Sequence, residues 1–281
     1  MRTLLGRLAG IGLLRRIAMP LLARLNPGDI TIRHHHAARP FHLHSFRHRG
    51  YWFHGPEREK ASMAAFRRLI RPSHTVLEIG GHIGYVSVFF SRLAGETGRV
   101  FVFEPGPDNL PYLRRNVGGL GNVEVIERAV GEFEGRATLY AESLTGQNNS
   151  LLPDFRGFRK NREAAHLSHL QIQPVAVDVT TLDRFVRERS IAPDFIKIDI
   201  EGYEWPALRG MAATLASCRP ILMVEVQENA EAVFAFLREH GYSCYTPEFE
   251  PIETPGGLSG NIFCLQRERH GRRLAIAPSG S

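Results

Sequence analysis

The chain has 281 residues, 43% of them hydrophobic and 23% charged, an ordinary globular composition with enough length for one large domain and small additions. Its net charge of +6 comes from arginines spread along the whole length, with no basic stripe interleaved with aromatics, which argues against a nucleic-acid partner. The three cysteines, Cys218, Cys244 and Cys264, stand singly in apolar segments without CxxC or CxxH spacing; this indicates neither a disulfide framework nor a zinc site and points to a reducing compartment, the cytoplasm.

The chain opens "MRTLLGRLAGIGLLRRIAMPLLARLNP". Its uncharged runs, 8–14 and 17–23, fall far short of the roughly 20 residues that span a bilayer. Arginines interrupt the apolar stretch and no small-residue cleavage site follows, so a secretory signal does not fit either. Residues 1–28 read as a basic helical segment that packs on the domain or mediates self-association into a homo-oligomer. Peripheral contact with the inner membrane surface is the second reading, although Arg15 shares a helical face with Leu8 and Ile11 and spoils clean segregation.

Residues 29–72 form a His-rich extension; seven of the thirteen histidines fall between positions 29 and 60. Phe41 and Leu43 alternate with His42 and His44, the pattern of short strands with one polar face. A metal site is the sharper hypothesis, but no HExxH occurs, and His34, His35 and His36 are adjacent, so in a strand they face alternate sides. The reading preferred here is a solvated polar face or part of a substrate-facing lid. A helix is expected near 61–70, broken by Pro72.

From residue 73 the chain alternates strands and helices. Strands are expected at 75–79, 99–103, 123–128, 195–199, 221–226, 242–246 and 262–266, and helices near 85–94, 108–117, 204–216 and 230–240. This is the signature of a doubly wound α/β fold. About seventy residues separate the third and fourth strands, more than one connection needs. Within them "RATLYA" and "IQPVAVDV" read as an added strand pair, Thr180 or Thr181 as the cap of a helix at "TLDRFVRE", and the polar loop between as a lid or substrate contact. The tail over 269–281 reads as loosely ordered.

Chemistry concentrates at the strand exits. The first strand runs into "LEIGGHIGY", a glycine turn followed by a helix, which presents free backbone amides to a ligand. The GxGxxG spacing of a dinucleotide site is absent. Glu78 before the turn repels pyrophosphate and attracts a ligand ammonium. Glu104, at the end of the second strand in "VFVFEPGPDNL", is placed to accept both hydroxyls of an adenosine ribose, with Pro105 stiffening the loop beyond. Ala129 and Val130, in "IERAVGE", can face an adenine ring. In "DFIKIDIEGYEWPALRG", Lys197, Asp199 and Glu201 alternate with isoleucines and share one face of an extended strand.

These segments, with "VTTLDRF", arrive in an order and at a spacing that resemble the FkbM-type S-adenosylmethionine-dependent methyltransferases over roughly residues 73–228. The resemblance implies a class I methyltransferase fold: a Rossmann-like three-layer sandwich on a seven-stranded, mostly parallel sheet whose last strand is antiparallel, here spanning 73–268. It implies S-adenosylmethionine as cofactor, with Glu78, Gly80, His82 and Gly84 at the methionine end, Glu104 and Pro105 at the ribose, Ala129 and Val130 beside adenine. Asp199 and Glu201 match the "KIDxEG" segment beside the methyl-transfer site. Asn149, Ser150 and Leu151 resemble the "SSL" segment, with Asn149 in place of the first serine. His82 replaces the usual asparagine of the glycine turn.

Transfer from a sulfonium needs alignment but no protein nucleophile, while a hydroxyl acceptor gains from a nearby base. The expected activity is therefore O-methylation of a sugar, glycolipid or natural-product hydroxyl, with Asp199 or Glu201 as the acceptor-side acid and His82 as a weaker base candidate. No metal is assigned. Residues 29–60, the 142–170 loop and the segment after Glu225 are expected to choose the acceptor. Two alternatives stand beside this reading: a noncatalytic S-adenosylmethionine-binding or membrane-associated scaffold, and an NAD-dependent oxidoreductase, the latter disfavoured by Glu78 and the missing GxGxxG.

Overall fold

A computed structural model describes residues 27–143, 145–158 and 171–274, and side chains as far as residue 271. The expectations for residues 1–26, and for the lid loop over 159–170, lie outside the described residues. Among the described residues no helix is long and apolar enough to cross a membrane.

The main sheet is built from β3 (Thr75–Ile79), β4 (Arg99–Phe103), β5 (Val123–Ile126), β9 (Phe195–Ile198), β10 (Ile221–Val226), β11 (Ser243–Tyr245), β12 (Pro251–Ile252) and β13 (Gly260–Leu265). Their order across the sheet is β12-β11-β13-β10-β9-β3-β4-β5. The five strands from β10 to β5 are mutually parallel, and β13 lies antiparallel between β10 and β11. Seven strands were expected; the eighth, β12, is a two-residue edge strand. The chain order reverses between β3 and β9, so the crevice at their carboxyl ends is where a doubly wound sheet binds its ligand.

These strands read as continuous apolar runs because helices cover both faces. On one face lie α2 (Lys60–Leu69), α3 (Tyr85–Ala94) and α4 (Leu110–Val117); on the other, α5 (Leu182–Arg189), α6 (Glu204–Arg209), α7 (Ala212–Cys218) and α8 (Ala230–Glu239). The Thr181 hydroxyl caps α5 by accepting from the Arg184 amide at 3.3 Å. The single helix expected over 204–216 is instead two. At the break, Gly210 passes so close to the preceding loop that a β-carbon there would sit 2.0 Å from the Gly131 carbonyl oxygen.

The third strand is shorter than expected, and Ala129–Val130 leaves it as β6 to join a small sheet with β7 (Gly135–Glu142) and β8 (Ile172–Thr180). β7 and β8 are the expected added pair, antiparallel from Gly135↔Val179 to Glu142↔Ile172.

The N-terminal extension does not stand apart from the domain, as the expected boundary at 72/73 would have it. β1 (Asp29–Arg33) and β2 (Pro40–His44) form a hairpin, followed by the short α1 (Arg49–Phe53), a 3₁₀ turn over Gly55–Glu57, and α2. Phe66 of α2 meets Phe90, Phe195 and Phe263 edge-on at 4.9–5.8 Å, so α2 is a layer of the sandwich and its apolar face shares one core with the sheet. Phe41 and Leu43 are fully buried against the same core.

The histidines are also less exposed than a solvated face requires. His34, His36 and His48 are buried. His34 stacks on Tyr85 at 4.2 Å, and its Nε2 bonds the Tyr85 carbonyl at 2.8 Å, which fixes the hairpin to the start of α3. Burial pushes the pKa of His34 down to about 4 and of His48 to about 2, so both stay neutral and serve as hydrogen-bonding core residues. The described part of the tail also departs from expectation, since α9 (Arg267–Leu274) follows β13 directly and His270 is buried; residues 275–281 lie outside the described residues.

Candidate active site

A cleft at the carboxyl ends of β3, β4, β9 and β10 gathers Glu78, Gly80, His82, Glu104, Pro105, Ala129, Val130, Asp199 and Glu201, all assigned from the sequence. Gly84 does not line it. Gly84 adopts φ +85 as the residue that starts α3, and a β-carbon there would meet Leu113 of α4 at 2.9 Å. Gly80 is similar: with φ +88, it passes so near the β9 exit that a β-carbon would lie 1.9 Å from the Asp199 carbonyl oxygen. These glycines let the turn pack on protein backbone and side chains. The free amides expected of the turn are spent inside the fold: Gly80 and Gly81 donate to the Phe103 carbonyl at 3.0 Å, Gly84 to the Gly81 carbonyl at 2.8 Å and His82 to Glu104.

Glu78 sits at the end of β3, paired in register with Lys197 of β9. It is 1% exposed, and its Oε2 makes no well-formed hydrogen bond. Burial raises its pKa to about 7 against the pull of Lys197 and of the neighbouring Ser87 hydroxyl. A buried carboxyl oxygen without a partner, lining an open cleft, fits a ligand donor such as an ammonium. Glu104 is better satisfied. Its Oε1 accepts from the Gly106 amide at 2.8 Å and the Asn109 amide group at 3.1 Å, and its Oε2 from the His82 amide at 2.7 Å. Burial raises its pKa to about 7 in spite of those bonds.

His82 has a different employment from the one expected. Its Nδ1 bonds the Tyr51 hydroxyl at 2.9 Å and its Nε2 the Thr145 carbonyl at 3.3 Å. Burial drives its pKa down to about 3. With both nitrogens engaged, His82 is not free to act as a base; it fastens α1 and the 145 loop to the glycine turn. The substitution of asparagine by histidine also has a physical account. The residue holds φ +48, a left-handed conformation that both residue types enter more readily than most.

The β9 exit carries an acidic cluster around one buried cation. Lys197, 3% exposed, donates to Asp199 Oδ2 at 3.0 Å and to the Gly80 carbonyl at 3.1 Å. Asp199, Glu201 and Glu225 each bring a carboxylate oxygen within 4.8 Å of the others. Gln227 donates to Glu201 Oε2 at 2.8 Å and to Glu225 Oε2 at 2.7 Å. Burial favours a protonated Asp199, but the Lys197 ammonium and a hydrogen bond from Glu225 outweigh it and hold the carboxyl down. Glu201 and Glu225 go the other way, raised first by burial and then by the Asp199 charge.

Glu201 reaches this cluster by a route the strand pattern did not give. β9 ends at Ile198, and Glu201 occupies a turn with φ +56, outside the strand face it was expected to share. The Ser150 hydroxyl donates to the Glu201 carbonyl at 2.7 Å, and Asn149 and Leu151 line the cleft, so the "NSL" segment braces that turn. Three non-glycine residues held left-handed, Glu59, His82 and Glu201, line the cleft, a concentration of backbone strain typical of functional sites.

Sequence reasoning missed Tyr51, Arg58 and Glu59, which line the cleft from the extension, and Glu225 and Gln227 from the β10 exit. For Glu225 a signal existed: an acid near the end of the apolar strand "ILMVEV". The extension residues carry no such signal, since α1 is five residues long and owes its place to docking.

The sheet order, the antiparallel β13 and the ligand crevice at the β3/β9 switch define a class I methyltransferase fold. The family model of the methyltransferase FkbM domain matches residues 78–244, and the chain belongs to the FkbM family of S-adenosylmethionine-dependent methyltransferases. It is 25% identical over 226 residues to the 2-O-methyltransferase NoeI of Sinorhizobium fredii, covering 74% of this chain and 88% of that protein. A shorter stretch of 61 residues is 41% identical to the ubiquinone/menaquinone biosynthesis C-methyltransferase UbiE of Klebsiella pneumoniae, 21% of this chain and 24% of that one. Among solved structures, methyltransferase FkbM from Methylobacillus flagellatus superposes with a TM-score of 0.43 at 17% identity, over 72% of this chain and half (50%) of that one.

Proposed function

We propose that this methyltransferase acts on a hydroxyl oxygen of a sugar, glycolipid or natural-product acceptor. The observation that carries the reading is the paired state of the acids at the β9 exit: Asp199 held ionised on Lys197 beside Glu201, whose affinity for a proton is raised. The likeness to a 2-O-methyltransferase supports oxygen as the acceptor atom.

Bound S-adenosylmethionine supplies an electrophilic methyl group on its sulfonium. Glu78 takes the ammonium of the amino-acid end at the Gly80–Gly84 turn, with His82 holding that turn in shape. Glu104 accepts from the ribose, beside Pro105, and Ala129 and Val130 pack against adenine. Asp199, fixed by Lys197, orients the acceptor hydroxyl, and Glu201 receives its proton, because a base is most effective with its pKa near the working pH. Alignment of this kind supplies roughly 7–11 kcal/mol in favourable systems.

The test is a methyl-transfer assay over a panel of hydroxylated glycans, glycolipids and small natural products. Asp199→Asn and Glu201→Gln are expected to lower turnover by about 10²–10⁴-fold while cofactor affinity barely moves. Turnover of the wild type should rise with pH through a carboxyl pKa displaced upward, and Glu201→Gln should lose that limb. Full turnover in both variants sinks the assignment of these acids.

A further inference from the structure

Acids dominate the cleft that receives the cofactor and its amino-acid portion. Glu59, Glu78, Asp199, Glu201 and Glu225 all line it. They suit an ammonium, but the same portion carries an α-carboxylate, which they repel. A bound carboxylate there requires a cation that is not already spent.

Among the described residues three cationic side chains line the cleft: Arg58, Arg128 and Lys197. Lys197 is committed to Asp199 and the Gly80 carbonyl. Arg128 immediately precedes Ala129 and so lies toward the adenine end. Arg58 remains, from the turn between α1 and α2, ahead of the region that the methyltransferase model matches.

Its surroundings place and aim it. The guanidinium lies over the Tyr51 ring, 4.6 Å from the centroid, and Tyr51 in turn bonds His82 in the glycine turn at 2.9 Å. Asp199 and Tyr85, the first residue of α3, are among the groups that act on its charge. Gly50 leaves room for it: a β-carbon at that position would stand 2.8 Å from Arg58 Nη1. Its ion pair with Glu59, 3.3 Å from Nη2, occupies one of five donors, and the side chain is 23% exposed. A guanidinium partly withdrawn from water, clamped on an aromatic face and with donors to spare, has the geometry of a carboxylate fork.

We infer that Arg58 is a cofactor-binding residue whose guanidinium takes the α-carboxylate of S-adenosylmethionine, so that the N-terminal extension completes the donor site. The inference rests on the placement of the amino-acid end at the Gly80–Gly84 turn. It changes the role of the extension, which the sequence assigned to acceptor choice.

Calorimetry on the full chain tests it with two probes, S-adenosylmethionine and its decarboxylated form, which lacks only the carboxylate. Arg58→Met is expected to weaken S-adenosylmethionine by about 10- to 100-fold and to leave the decarboxylated form within about twofold. Arg58→Lys, which keeps the charge but loses the fork, should fall between, and Gly50→Ala should weaken only the carboxylated probe by crowding the guanidinium. Equal loss on both probes means a structural role and overturns the inference, as does no loss on either. An unchanged cofactor affinity with a raised acceptor KM assigns Arg58 to an acceptor anion and overturns it too. If the wild type binds neither probe, the cofactor placement itself fails, a result distinct from any difference between variants.

Discussion

The floor and the roof of the cleft are built on different rules. The floor consists of the exits of β3, β4, β9 and β10, where each polar side chain sits at the end of a buried apolar strand and is fixed by register: Glu78 opposite Lys197, and Lys197 opposite Met223. The roof consists of Tyr51, Arg58 and Glu59 on a short helix and turn: Tyr51 is buried against Phe41 and Tyr85 and bonds His82, while Arg58 and Glu59 are held by the Tyr51 ring face and one ion pair. Errors in the floor therefore propagate into the core, whereas errors in the roof stay local and are felt mainly by the ligand.

The largest effect is expected where the floor is cut at its buried cation. Lys197→Met leaves Asp199 without its partner and the Gly80 carbonyl without its donor. Breaking a buried pair on one side costs about 3–5 kcal/mol, so a denaturant titration should show a loss near that range. Removing Asp199 as well, in Lys197→Met/Asp199→Leu, should recover part of the stability and none of the turnover. A single variant as stable as the wild type would mean the floor is not organised around this ion pair.

The same contrast explains what could be read in the sequence. β3, β4 and β10 fall on the expected residues because a strand buried on both faces shows as an unbroken apolar run, and the polar residue ending it marks the cleft. Glu78, Glu104 and Asp199 were legible for that reason. Glu201 was legible by motif but misplaced by periodicity, since a left-handed turn obeys no twofold alternation. The double helix at 204–218 was invisible because its break depends on Gly131, far away in the chain. Tyr51 and Arg58 were invisible because nothing local distinguishes them from other residues of a His- and Arg-rich stretch. Their function exists only once His34 has stacked on Tyr85 and the Asn116 side chain has bonded His42, accepting from its amide at 2.6 Å and donating to its carbonyl at 2.8 Å.

A smaller, local effect is expected in the roof. Tyr51→Phe keeps the ring under Arg58 and removes the hydroxyl that bonds His82 Nδ1. The net loss is about 1 kcal/mol, the ordinary worth of one hydrogen bond. Hydrogen exchange should show faster opening at 49–58 and unchanged protection in β3 and β9. Uniform loss of protection across the sheet would erase the distinction between roof and floor.

The smallest signal is a fraction of a proton, and it reads the floor directly. Glu78 and Glu104 have folded pKa values near 7, raised above the 4.5 of an unfolded glutamate, so between those values the folded chain holds more protons than the unfolded one. Their contribution to stability is complete below pH 4.5 and declines as pH rises toward 7, which thermal unfolding of the ligand-free protein can follow. An ammonium placed on Glu78 favours its ionised form. Binding of S-adenosylmethionine at pH 7 should then release about half a proton from that group, visible as a dependence of the calorimetric enthalpy on the ionisation enthalpy of the buffer. Glu78→Gln should reduce the release, leaving only what Glu104 contributes when the ribose hydroxyls donate to it. Net proton uptake by the wild type would place the ammonium away from Glu78, and with it the orientation of the whole cofactor across the floor would have to reverse.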